Sequence, residues 1–275
     1  MSNPESSAGG CSHHGPFGVC GHTDATCPEL VRKESFADSL IPSGLDARTS
    51  TQNLAKEKIF GVKGRPDILV RERVLDSGED AEKLMERMGE AKDLFEHMGA
   101  TYGINVVSVE LLGGETAEGT PAIYTIVDKI EGKNITDTEH QPETAKDELD
   151  ALYVSLASYY DDARKQGGKY WGDCNNTQFV YGRKADEDAE HFHLVDIGPE
   201  FYAPGQNEYF PVSWPILQIT RGLVEAEKKF TPHAHLGGAR EALLRTIEEM
   251  SDDVSVDARP LVEAKESLLR DDAHI

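Results

Sequence analysis

Residues 170–201, YWGDCNNTQFVYGRKADEDAEHFHLVDIGPEF, place two carboxylates at the ends of what reads as a β-hairpin. A loop over 172–177 leads into a short strand over 178–181 and a polar turn over 182–190. A second strand, 191–195, runs directly into Asp196-Ile197-Gly198. Asp173 stands just before the first strand and Asp196 just after the second. Antiparallel neighbours bring the entry of one strand beside the exit of the other. The two carboxylates and the Gln178 amide should then converge, an oxygen-rich set that suits a hydrated Mg²⁺ and the phosphates it carries. A D-x-G after an apolar strand is also an ordinary turn, because Asp and Gly both favour turns. The rest of the chain has to decide between the two.

Upstream, residues 60–62 and 68–74 are β-rich runs around a Lys63-Gly64-Arg65-Pro66-Asp67 turn, a hairpin signal. Residues 79–98 predict a helix: Ser77 can cap it, Glu79 and Asp80 suit its positive end, and Leu84, Met88, Ala91 and Phe95 recur at helical spacing. Two strands follow, 104–112 and 122–130, around a Gly-rich polar turn. An acidic stretch from Asp137 then starts a helix whose apolar positions are Leu149, Leu152, Tyr153, Leu156 and Tyr160, and which the Gly167-Gly168 pair stops. Beyond Pro199 comes an aromatic loop. Three helical patterns close the chain, over 215–228, 238–250 and 257–270.

Several motifs together resemble the protein-kinase-like superfamily, in its aminoglycoside-phosphotransferase-like and small-molecule-kinase form. Gly172-Asp173, four residues, then Gln178-Phe179-Val180 resembles the G-D-x-x-x-x-N-hydrophobic catalytic loop. Leu194-Val195-Asp196-Ile197-Gly198 resembles the L-V-D-F-G metal-binding strand end. Ile68-Leu69-Val70-Arg71 looks like the V-A-I-K strand, and Ala122 to Gly132, AIYTIVDKIEG, resembles the last N-lobe strand and the hinge. The resemblance implies an α+β, bilobal fold: a small antiparallel-sheet N-lobe with one helix over 35–132 and a short, mainly helical C-lobe over 133–275.

The roles it implies are those of ATP- and Mg²⁺-dependent phosphoryl transfer, which needs chiefly positioning and charge neutralisation. Asp173 would orient or deprotonate an acceptor hydroxyl, and Gln178 and Asp196 would hold Mg²⁺. Arg71 would contact the phosphates, steadied by Glu90 on the helix, with Glu86 as second choice. Adenine would lie against the backbone of Val127, Asp128 and Lys129. Three departures stand out. Arg71 replaces a Lys, and the two are not equivalent phosphate ligands. Gln178 replaces an Asn and sets its amide one methylene further out. The stretch 49–58, TSTQNLAKEK, falls where a Gly-rich loop belongs and holds no glycine, although Ser50, Thr51 or Lys56 could help meet phosphates.

Residues 1–34 form a Gly, Ser, His and Cys-rich arm without apolar periodicity. Cys11, Cys20, Cys27 and one of its His residues, His22 by preference, supply ligand types that suit tetrahedral Zn²⁺, though not at knuckle spacing; a disordered tail is the alternative. In a chain this long, such cysteines are poor evidence for a disulfide framework.

Composition limits the partners. At 275 residues the chain can bury a real core. Its 28 basic and 50 acidic residues give a formal charge of −22, a surface that repels nucleic-acid phosphates and anionic lipid. With neither a membrane-span-length apolar run nor a signal-peptide core, a cytoplasmic location is the expectation. Two functional readings follow: an ATP-dependent phosphotransferase with an unknown acceptor, or a catalytically weak pseudokinase that binds nucleotide or a partner as a scaffold. An unrelated α+β protein whose metal-binding arm is the functional part is a third.

Overall fold

The computed structural model describes residues 34–37, 39–43, 57–137, 143–203, 211–230 and 233–271. The Cys/His arm with Cys11, Cys20, His22 and Cys27, and the glycine-free stretch up to Lys56, lie outside the described residues. A single helical turn, α1 (Glu34–Ala37), leads to a short strand, β1 (Leu40–Pro42). The hairpin of β2 (Glu57–Val62) and β3 (Arg65–Val74) turns at Lys63-Gly64. Gly64 takes a φ of 79°, a left-handed value that glycine adopts without penalty. After α2 (Ala81–Tyr102) come β4 (Val109–Glu115) and β5 (Pro121–Asp128). The five strands form one antiparallel sheet in the order β1-β2-β3-β5-β4. The fold expectation that residues 60–74 and 104–130 share an antiparallel sheet is met.

Strand alternation sorts the side chains of β3. Ile68 and Val70 enter the apolar cluster on one face with Ala122, Tyr124 and Ile126. Period two therefore puts Leu69, Arg71 and Arg73 on the other face. The helix α2 runs later than expected at both ends. Asp80, not Ser77, caps it by accepting from the Glu82 and Lys83 backbone N–H groups. Gly103 supplies the left-handed stop, with φ at 70°.

The strand expected from Ile104 starts only at Val109, because residues 104–108 serve the other half of the molecule. Val106 forms a parallel bridge to Leu194, with Leu194 N donating to Asn105 O at 2.8 Å and Val107 N to Leu194 O at 3.2 Å. The chain then turns into β6 (Glu131–Asn134), a 3₁₀ turn over Ile135–Asp137, and α3 (Ala145–Gln166), which ends at Gly167 with φ at 65°. Next come β7 (Tyr170–Trp171), β8 (Phe179–Arg183), β9 (His191–Leu194) and β10 (Phe201–Tyr202). β6, β8 and β9 make a three-stranded sheet. A Cβ on Gly132 would collide with the Tyr181 carbonyl, so β6 can lie this close to β8 only with glycine there. Three helices complete the fold: α4 (Ser213–Glu227), α5 (Gly237–Ser251) and α6 (Ala258–Asp271).

One large core holds the two halves together. Phe95 and Met98 of α2, with Ile104, Val107 and Val109, join the same buried cluster as α3, the β8–β9 hairpin and α4 to α6. Trp171 belongs to it, its ring edge-on to Phe95 at 5.5 Å. Cys174 is buried there as well, which agrees with its reading as loop packing. Among the described residues no helix is long and apolar enough to cross a membrane.

Candidate active site

The hairpin that residues 170–201 imply is present. Phe179 pairs with Leu194 at its open end, so Gln178 and Val195 are the next residues out, joined by a Val195 N to Gln178 O bond of 2.9 Å. Asp173 and Asp196 flank that end, close enough for the Asp196 charge to act on Asp173. A 3₁₀ turn over Asn176–Gln178 shapes the loop in front of β8. It is fixed by Asn176, whose Nδ2 donates to Gly222 O at 2.9 Å and whose Oδ1 accepts from Tyr153 Oη at 2.6 Å.

Both oxygens of Asp173 accept from amides: Asn175 Nδ2 at 3.0 Å and Gln178 Nε2 at 2.7 Å. Burial, and then the Asp196 charge, push the Asp173 pKa up from the ordinary value of 3.8, against these two hydrogen bonds. A carboxylate so placed is a better proton acceptor than one in water. The Gln178 amide is engaged by Asp173 through its nitrogen, while the expectation for Gln178 concerned its oxygen. That longer side chain reaches the neighbouring carboxylate directly, and only its oxygen is left to face a cation.

Arg71 reaches across from β3 and forms an ion pair and hydrogen bond with Asp196. Burial disfavours its charge, yet Asp196, Glu57 and Glu200 outweigh that and raise its pKa. Glu90 does not join them. Its carboxylate pairs with Lys169, just ahead of β7, and is half exposed. The expected Arg71–Glu90 pair is therefore replaced by Arg71–Asp196, because α2 presents Glu90 to Lys169 rather than to β3. Glu86, the second choice, lies on an exposed part of α2.

Glu200, four residues after Asp196, was not singled out in the sequence. Its carboxylate folds back over Gly198, where an added Cβ would collide with Oε2. The residue as a whole keeps solvent contact. Protein packed around the carboxylate, then Asp196 and Asp173, nonetheless raise its pKa, with Arg71 opposing. D-I-G-P-E offers no periodic signal; only the return of the chain against β7 places Glu200 here.

The residues expected to face adenine, Val127, Asp128 and Lys129, lie at and just past the end of β5, and two of their groups are committed. The Lys129 N–H donates to Asp67 O at 2.8 Å, so it does not face a base. Asp128 accepts from Ser108 N at 3.2 Å and Ser108 Oγ at 2.8 Å, and pairs with Lys184 at 3.2 Å. Val127 sits mid-sheet between Leu69 and Val109.

One sheet-borne cation has thus been brought onto the carboxylate that ends a hairpin, with a second carboxylate in the loop that starts it. A five-stranded antiparallel sheet with one helix stands on one side, and a helical half on the other. This is the arrangement of elements that the sequence resemblance implies, an antiparallel sheet with a helix followed by a mainly helical half. Solved structures to which the chain is similar include the bifunctional kinase-methyltransferase WbdD, in one determination at 16% identity over 80% of this chain with a TM-score of 0.37, and in another at 15%, 84% and 0.39. A GDP complex of an aminoglycoside 2′-phosphotransferase is similar at 10% identity over 80% of this chain and 89% of its own, with a TM-score of 0.36. The chain spans 45–46% of the WbdD chains. No family model and no curated protein matches the sequence.

Among the described residues, no three His, Cys, Asp or Glu side chains converge on a point that could hold a metal ion. The Asp196 carboxylate and the Gln178 amide oxygen are nonetheless hard oxygen donors of the kind Mg²⁺ takes. Arg71 occupies Oδ1 of Asp196.

A separate groove of about 600 Å³ lies behind the site, between α2, residues 104–110 and β9. It exposes little of His193, which is 2% exposed and has no hydrogen-bond partner on either ring nitrogen among the described residues. The Glu187 carboxylate is 3.6 Å from Nε2. Burial lowers the His193 pKa from 6.5 more than Glu187 and the Gly182 backbone raise it, with Lys184 and His191 lowering it further. The folded state thus binds this proton less well than the unfolded state. The neutral ring's contribution is present above about pH 6.5 and is lost as pH falls below it, down to the folded pKa. His193→Asn should therefore lose less melting temperature than wild type between about pH 7.5 and about pH 5.5. Parallel melting curves for the two proteins would refute this assignment.

Proposed function

We propose that this protein transfers a phosphoryl group from ATP to an acceptor hydroxyl. The observation that carries the reading is the meeting of Arg71, Asp196 and Asp173 at the open end of the β8–β9 hairpin. Arg71 presents a guanidinium fork that suits phosphate oxygens. Asp173, its pKa raised by burial, is placed to orient the acceptor hydroxyl and take its proton. Asp196 and the Gln178 oxygen would hold Mg²⁺, which when bound neutralises charge on the transferring phosphates. The lobe boundary near residue 132 belongs to the same proposal, with the nucleotide between the halves.

A second reading has its own support. Arg71 pairs with Asp196, and Gln178 is tied to Asp173. A site locked in that state would be a nucleotide-binding or partner-binding scaffold with little turnover.

Calorimetric titration of ATP with and without Mg²⁺, on wild type and Asp196→Asn, tests the proposal. Mg²⁺ should strengthen ATP binding to wild type by about tenfold or more, and should change binding to Asp196→Asn by less than about twofold. Gln178→Asn restores the shorter amide of the related motif and should leave activity unchanged or raise it. Identical Mg²⁺ dependence in wild type and Asp196→Asn would reduce Asp196 to a turn residue and end the phosphotransferase reading. Binding without turnover would favour the scaffold.

A further inference from the structure

We propose that Asn175 is the residue that positions Asp173 for the acceptor hydroxyl. Its consequence for turnover rests on the phosphotransferase reading. The last torsion of an aspartate side chain is broad and roughly twofold, so the plane of the carboxylate is not set by its own rotamer. A single donor would let the group swing about one hydrogen bond. One donor at each oxygen fixes the plane.

Asp173 has both. Gln178 Nε2 donates to its Oδ2 at 2.7 Å, and Asn175 Nδ2 donates to its Oδ1 at 3.0 Å. An ionised carboxylate offers about four lone-pair positions, so the two amides leave about two for a hydroxyl. The direction of the Asn175 amide follows from its other end. Its Oδ1 accepts from Thr177 Oγ1 and, at 2.9 Å, from the Thr177 N–H, a group that can only donate. Oxygen must therefore face Thr177, which turns the NH₂ toward Asp173. The backbone on either side of Asn175 is held as well. Cys174 is buried, and Asn176 is bonded to Gly222 O and Tyr153 Oη. Thr177 is anchored in turn: its carbonyl accepts from Asn134 Nδ2 at 2.6 Å, while Asn134 Oδ1 accepts from Thr136 N at 2.9 Å. Asn134 ends β6, the strand that follows Lys129 and Ile130, and pairs with Val180 of β8. Hydrogen bonds thus run from β6 through Thr177 and Asn175 to the carboxylate.

The test compares the full chain with Asn175→Ser and Thr177→Val in turnover across pH, and in a carbon-13 NMR titration of the Asp173 carboxyl assigned with Asp173→Asn. The serine oxygen can still cap the turn but is too short to reach Asp173, whereas Thr177→Val keeps the N–H and loses only the hydroxyl. Asn175→Ser should lower kcat about 10- to 100-fold, because a misplacement of about 1 Å can cost that much. The KM for ATP should stay within about twofold of wild type. The acid limb of the rate profile and the Asp173 titration should both move to higher pH, because a hydrogen bond that favours the carboxylate is lost. Thr177→Val should move both in the same direction by less. In an Asp173→Asn background, Asn175→Ser should cost nothing further in kcat. If Asn175 only caps the turn, Asn175→Ser leaves the Asp173 titration where it is in wild type. That result, a loss that falls on the KM for ATP, or full additivity with Asp173→Asn overturns the proposal. Should Asn175→Ser melt early, Thr177→Val, whose backbone bonds are intact, decides by the same titration. The titration needs no substrate: a wild-type chain without turnover ends the phosphotransferase reading, and the titration still decides whether Asn175 holds Asp173.

Discussion

Asp173→Asn is expected to remove turnover while sparing the nucleotide. The amide cannot take a proton, so the rate should fall about 10²- to 10⁴-fold, the usual contribution of a positioned general base. ATP affinity should stay within about twofold, because Arg71 and Asp196, not Asp173, face the phosphates in the proposed complex. The geometry makes the substitution conservative in shape. The introduced amide oxygen could still accept from one of the two amides that now donate to Asp173, Asn175 at 3.0 Å or Gln178 at 2.7 Å. The pH–rate profile gives a second check. Burial and the Asp196 charge raise the Asp173 pKa above 3.8, so the acid limb should lie above that of an exposed aspartate. The measurements are steady-state turnover across pH and ATP titration of both proteins. An Asp173→Asn variant with wild-type kcat would remove Asp173 from the mechanism.

Glu227→Ala is expected to give the largest loss of stability. Glu227 at the end of α4 and Arg240 in α5 are only 4% and 5% exposed. Glu227 Oε1 accepts from Arg240 Nε at 2.9 Å and from the Leu236 N–H at 2.8 Å, and Oε2 accepts from Arg240 Nη2 at 2.6 Å. Arg240 Nη1 donates onward to Leu268 O at 2.8 Å, joining α6 to the pair. Removing the carboxylate takes two charge-assisted hydrogen bonds from a buried guanidinium and strands the Leu236 N–H that leads into α5, a cost of about 3–5 kcal/mol. For a chain of this size that is a drop of roughly 10 °C in melting temperature. Replacing both partners, Glu227→Leu with Arg240→Met, should cost less than Glu227→Ala alone, because no unpaired charge is then left inside. Thermal unfolding of the three proteins decides the matter. A Glu227→Ala loss under about 1 kcal/mol would mean that water reaches the pair.

Local signals fixed much of the architecture. Alternation in 68–74 and 122–128 made them strands and put Arg71 opposite Val70, hence on the face that meets Asp196. Helical spacing of Leu84, Met88, Ala91 and Phe95 found α2, and Gly167 ended α3 where a left-handed residue was needed. The hairpin between Asp173 and Asp196 could be read because its strands are close in sequence and its turn is polar. What a strand or helix pattern cannot carry is which of several reachable charges a long side chain chooses. Glu90 and Lys169 are 79 residues apart, and Arg71 and Asp196 are 125. Each pairing was settled by where the shared core sets α2 against β7 and β3, and by competition among the carboxylates available there. The same holds for Glu200, placed by the return of the chain against β7, and for Gln178, whose extra methylene let it reach Asp173. His193, without a hydrogen-bond partner among the described residues, and the buried Glu227–Arg240 pair are likewise products of packing: each depends on what the assembled core withholds from water.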